Sequence, residues 1–152
     1  MIYADGMHGR FRLGYGAQFI HIAAAIAEDR AEIDDLLACG ADPNCRDAGG
    51  CTPLHYAAWN NPAAEAVKAL FEAAADPEAC DGHGRKPLDY AISAANDAFI
   101  EAALDAGADP AGSGDAVEDA RGKARYGCPA FGKTRAYRRL MRAGSRLRLH
   151  ED

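Results

Sequence analysis

The stretch Asp47-Ala48-Gly49-Gly50-Cys51-Thr52-Pro53-Leu54-His55-Tyr56-Ala57-Ala58 decides how the rest of the chain is read. Thr52 can cap a helix, and Pro53 fits its first position, where a missing N–H costs nothing. Leu54, Ala57 and Ala58 then share one face, which predicts a short helix from Pro53 to Trp59. Asn60-Asn61-Pro62 breaks it. Asn61 can cap, and Pro62 can begin, a longer helix running through Ala73, with Val67, Leu70 and Phe71 on its apolar side. Asp76-Pro77 forbids continuation, and Cys80 to Gly84 has the Gly and Asp content of a tight turn. A new unit opens at Lys86-Pro87.

The same unit recurs on either side. Gly16, Gly50 and Gly84 are spaced by 34 residues, as are His21, His55 and Asp89, and Ala23, Ala57 and Ala91. A second landmark agrees: Gly40-Ala41-Asp42-Pro43, Ala74-Ala75-Asp76-Pro77 and Gly107-Ala108-Asp109-Pro110 are spaced by 34 and 33. Alanine dominates the helix pairs. It costs least in a helix and lets neighbours approach closely, so a unit that cannot bury a core alone can stack on the next.

The middle unit resembles the ankyrin pattern Asp-x-x-Gly-x-Thr-Pro-Leu-His-x-Ala-Ala. The third keeps Asp81, Gly84, Pro87, Leu88 and Ala91 but has Lys86 for Thr and Asp89 for His. The first keeps Gly16, His21, Ala23 and Ala24. The resemblance covers about residues 13–110 and implies an all-α ankyrin-repeat solenoid. Its three clear repeats would span about 13–46, 47–80 and 81–113, followed by a degenerate capping repeat over about 114–152 as one domain. It also implies that Lys86 and Asp89 remove the threonine and histidine bonds that brace the turn and tie one repeat to the next.

Net charge is −6, but residues 1–120 carry seven Lys or Arg against 21 Asp or Glu, and residues 121–152 carry ten against two. Asp115 to Ala120 sits where another first helix would start. Thr134 to Ala143, with Tyr137, Leu140 and Met141, reads as a second helix stopped by Gly144. Tyr126, Phe131, Leu147 and Leu149 add more apolar groups than a disordered nucleic-acid tail usually has. The expectation is a closing helix pair over about 115–144, covering Phe99, Ile100 and Leu104. The alternative is a basic segment that binds an anionic partner, nucleic acid or an acidic surface. The acidic body opposes that reading, because it repels phosphate.

The composition, 49% apolar and 26% charged, is that of a soluble globular chain. No apolar run is long enough to cross a bilayer, and Met1 to Arg12 has no apolar leader core, so the expected location is the cytoplasm and no membrane partner is expected. The odd cysteine count, Cys39, Cys45, Cys51, Cys80 and Cys128, fits reduced thiols. Cys45, Cys51, Cys80 and His83 lie on neighbouring turns and could converge on a metal. Only Cys80 and His83 have close ligand spacing, so ordinary thiols are expected, with neither metal nor cofactor. Gly112-Ser113-Gly114 lacks the Lys-Ser/Thr of a phosphate loop and reads as a linker. His21 and His55 recur at a fixed repeat position, which assigns them to structure; no catalytic set emerges, and no enzyme is expected.

The resemblance implies a protein-interaction module that binds an unknown protein partner, with the chain monomeric on its own. Its surface is formed by the turn tips and the exposed side of the first helices. Carried over by position, this points to Ala48, Gly49 and Cys51 in one turn and Gly82, His83 and Arg85 in the next. On the helices it points to Trp59, Asn60, Ser93 and Ala94. Trp59 either anchors a partner or covers neighbouring alanine side chains.

Overall fold

The computed structural model describes residues 18–110 and 116–148, with side chains for 18–110 and 117–144. Gly16, the Met1 to Arg12 segment, the 112–114 linker, Asp115, Leu149 and the Leu147 side chain lie outside the described residues. Among those residues eight α-helices and no strand occur. They form four pairs: α1 Phe19–Ile26 with α2 Ala31–Ala38, α3 Pro53–Asn60 with α4 Ala64–Glu72, α5 Pro87–Ala94 with α6 Asp97–Asp105, and α7 Ala116–Gly122 with α8 Arg135–Arg148. First helices stack on first helices, α1 on α3, α3 on α5 and α5 on α7. Second helices stack on second helices in the same order. Two parallel layers result, and one core runs between them from Ile20 and Ile33, through Leu54 and Leu70, to Phe99 and Leu140.

Helices α2, α4 and α6 end in the same way. Gly40 N–H bonds to the Leu37 carbonyl and Ala41 N–H to that of Leu36; Ala74 and Ala75 repeat this on Phe71 and Leu70, and Gly107 and Ala108 on Leu104 and Ala103. This double bond to the last turn needs a left-handed residue, which glycine supplies without strain. Gly40 and Gly107 have φ +92° and +87°, but the middle repeat places Ala74 there, at φ +61°.

The corner between paired helices is held by asparagine. Asn61 Nδ2 donates to the carbonyls of Ala24 and Ala27, both at 2.9 Å, which satisfies the end of α1. Asn96 does the same for α3, reaching the carbonyls of Ala58 at 3.1 Å and Asn61 at 2.8 Å. This corrects the expected start of α4 at Pro62. Asn61 Oδ1 accepts the Ala63 N–H at 2.7 Å, so the chain first completes a turn and the helix begins at Ala64.

The last pair packs on the third, α7 against α5 and α8 against α6. Ala120, Phe131, Ala136 and Leu140 join Phe99 and Ile100 in the core, with Leu104 partly buried against it. Arg139 bonds to Glu101 at 3.4 Å and to Asp105 at 2.6 Å, and Thr134 Oγ1 donates to Asp97 at 3.1 Å. Two details differ from expectation. After α7 the chain widens into a π-helical turn, Lys123–Gly127, and then tightens into a short 3-10 turn, Phe131–Lys133. Gly144 does not stop α8, which continues to Arg148. A Cβ at Gly144 would stand 2.3 Å from Val117 Cγ2, so glycine serves the close approach of α8 to α7 and no stop is needed.

Candidate interaction surface

Between α2 and α3, and again between α4 and α5, lies a turn whose tip is organised by one carboxylate. Asp47 Oδ1 accepts the N–H of Gly49 and of Cys51, both at 2.9 Å, while the Tyr56 hydroxyl donates to Oδ2 at 2.6 Å. Asp81 repeats the arrangement with His83 N–H at 2.8 Å, Arg85 N–H at 3.0 Å and the Tyr90 hydroxyl. Burial opposes ionisation of Asp81, but these three donors outweigh it and hold the carboxyl below its ordinary value. Gly82 N–H donates to Gly49 O at 2.8 Å and joins neighbouring tips.

The two histidines tie these two tips to the first helix of the preceding repeat, α1 and α3. His55 Nδ1 accepts the Thr52 N–H at 3.0 Å, and its Nε2 lies 2.9 Å from Arg85 O. His21 stands in the same way between Gln18 N–H and Cys51 O, each at 3.0 Å. One neutral tautomer, with the proton on Nε2, satisfies both contacts. Burial holds the His55 imidazole below its ordinary value. In the third repeat Asp89 Oδ2 accepts the Lys86 N–H at 2.9 Å, and Lys86 Nζ pairs with Glu78. The expected loss of the local brace is therefore corrected: a carboxylate oxygen takes the place of the imidazole nitrogen.

Cys45 and Cys51 are not activated. Burial pushes the Cys45 thiol up, and burial with the nearby Asp47 charge pushes that of Cys51 up to about 11. All five cysteines are free, and no group of three or more His, Cys, Asp or Glu side chains converges among the described residues.

On this frame Ala48, Gly49, Gly82, His83, Arg85, Ser93 and Ala94 are exposed, while Cys51 and Asn60 are half-buried. Trp59 is 45% exposed. Its ring meets the edge of Tyr90 at 5.9 Å, and the Arg85 guanidinium lies over the same ring at 5.9 Å. Tyr90 thus joins the turn-tip candidates to the helix candidates. Sequence reasoning missed it, although it repeats Tyr56 at the 34-residue interval. Ile26, 48% exposed and one repeat before Asn60, was legible in the same way. Lys123 was not: its Nζ donates to Ser93 O at 2.7 Å, but the π-helical turn places it 30 residues on, out of the repeat register.

Among known families, the profile described as Ankyrin repeats (3 copies) matches residues 20–112, over half of the chain. The chain belongs to the ankyrin-repeat family. Ankyrin repeats are in general protein–protein interaction modules. No curated protein is found to match this ankyrin-repeat chain. No helix among its described residues is long and apolar enough to cross a membrane.

Proposed function

We propose that this ankyrin-repeat protein holds a partner protein against the turn tips and the exposed side of α1, α3 and α5, and performs no chemistry itself. The observation that carries this reading is Trp59, which stays nearly half exposed on a rigid helix although Tyr90 is available to cover it. A large ring held in place and open to water can be buried by a partner at little entropic cost. The polar groups beneath it are already engaged: both imidazoles bond on both nitrogens, and the turn carboxylates are filled by N–H and hydroxyl donors. That leaves recognition to the tips and helix surfaces, with Ala48, Gly49, Cys51, Trp59, Asn60, Gly82, His83, Arg85, Ser93 and Ala94 as its contacts. The pair α7 and α8 is the degenerate repeat that closes the stack, and Arg139 turned onto Glu101 and Asp105 supports docking over a free basic tail. Free thiols fit the cytoplasm.

The experiment is affinity capture from the source cell with three baits, quantified by mass spectrometry. A partner enriched by the wild type and by Arg138→Glu, but lost with Trp59→Ala, supports the reading. A partner retained by Trp59→Ala and lost with Arg138→Glu moves the site to the basic end.

A further inference from the structure

Most of the negative charge of the repeats lies outside the first helices. Helices α1 and α3 contain no Asp, Glu, Lys or Arg, and α5 contains only Asp89, which accepts the Lys86 N–H. The second helices hold most of the acids, Glu32, Asp34 and Asp35 in α2, Glu65 and Glu72 in α4, Asp97, Glu101 and Asp105 in α6, and Asp42, Asp76, Glu78 and Asp109 follow them in the segments after each helix. Asp47 and Asp81, at the tips, are enclosed by donors. Glu28 and Asp29 belong to the link into α2, and in α7 Arg121 neutralises Glu118, leaving Asp119. Positive groups border the same face: Arg46 and Arg85 at the tips, Lys123 and Arg125 in the π-helical turn. Beside them Tyr126 is 80% exposed, with Arg125 stacked 5.2 Å from its ring.

Lys123 has a definite place relative to Trp59. Its ammonium bonds to the carbonyl of Ser93, the residue one repeat after Trp59. It therefore stands about one helix further along the stack, roughly 10 Å away, which an extended chain spans in about three residues.

Resting on the interaction reading above, we propose that this face takes an acidic segment of a partner protein. An apolar side chain of that segment sits on Trp59, and carboxylates about three residues away meet Lys123 and Arg125. The apolar contact supplies affinity. The charges set register and choose between partners, because a basic segment meets like charge there.

The test uses short synthetic peptides on one scaffold: a central Leu flanked by Glu and Asp, the same Leu flanked by Lys and Arg or by Ser and Asn, and the acidic peptide with Gly for Leu. Trp59 is the only tryptophan, so its emission reports contact directly. The acidic Leu peptide should shift that emission saturably and lose affinity as salt rises. Lys123→Glu with Arg125→Glu should weaken it at least about tenfold, Lys123→Gln with Arg125→Gln less so, while Arg138→Glu with Arg142→Glu on α8 changes it less than about twofold. A basic or neutral peptide that shifts Trp59 more strongly than the acidic one overturns the charge inference and leaves the interaction reading standing. So does a polyanionic oligonucleotide that binds as well, or equal binding of the Gly-for-Leu peptide. No response of Trp59 to any peptide contradicts both.

Discussion

His55 Nε2 lies 2.9 Å from the backbone carbonyl of Arg85, thirty residues on and at the next turn of the stack, while its Nδ1 accepts from Thr52 N–H. A single side chain thus braces the start of its own helix and fixes the following tip, which carries three of the contact candidates. His55→Ala should remove both bonds, leave a buried N–H and carbonyl unsatisfied, and cost about 2–3 kcal/mol in denaturant unfolding. His55→Asn should recover part of the loss by restoring the local acceptor.

The same histidine sets a pH dependence. Its folded value lies below the ordinary 6.5, so the unfolded chain binds more protons and stability rises with pH. The contribution is complete above about 6.5 and is lost as pH falls through 6.5 toward the folded value. Denaturant midpoints between about pH 7.5 and pH 5.5 should fall in the wild type and fall less in His55→Asn. An equal slope in both contradicts this assignment.

Ala74 holds a left-handed conformation that its counterparts Gly40 and Gly107 adopt without strain. Ala74→Gly relieves about 1 kcal/mol of that strain, offset in part by the greater entropy of an unfolded glycine. A net gain of about 0.5 kcal/mol is expected from equilibrium unfolding. A loss of stability would place the strain elsewhere.

The docking of α8 should depend on apolar contact. Leu140 is fully buried, and Leu140→Ala should cost about 2–4 kcal/mol. Arg139→Ala removes two partly exposed ion pairs and should cost about 1 kcal/mol or less. A fragment ending at Pro110 should melt well below the full chain or aggregate, because Phe99 and Ile100 lose their cover. If it melts like the whole, the last helix pair is an appendage.

The periodic part of this molecule was legible because each repeat obeys the same local physics. Thr52-Pro53 starts a helix, Ala-Asp-Pro follows its partner's end, and His55 recurs where a tip needs a donor. What escaped were residues whose role depends on a neighbour far along the chain. Asn61 looked like a cap for the next helix and instead divides its amide between the carbonyls ending α1 and the N–H of Ala63. Gly144 looked like a stop because a glycine near a helix end usually is one; only the position of Val117 reveals the packing constraint. Lys123 lay outside the repeat register, so no carry-over by position could find it.

Trp59 separates packing from recognition. Trp59→Ala forfeits an edge contact with Tyr90 and should lower stability by about 1 kcal/mol. It should weaken partner binding by about 2 kcal/mol or more, measured by calorimetry on the captured partner. Unchanged affinity with a larger fall in stability would make it a cover for the alanines beneath.

The most direct test of the account is amide hydrogen exchange on the complex with that partner. Protection is expected at the tips, Ala48–Cys51 and Gly82–Arg85, at the helix ends around Trp59 and Ser93, and at Lys123–Tyr126, with α2, α4 and α6 unchanged. Protection confined to the acidic second helices, or to α8 alone, would contradict it.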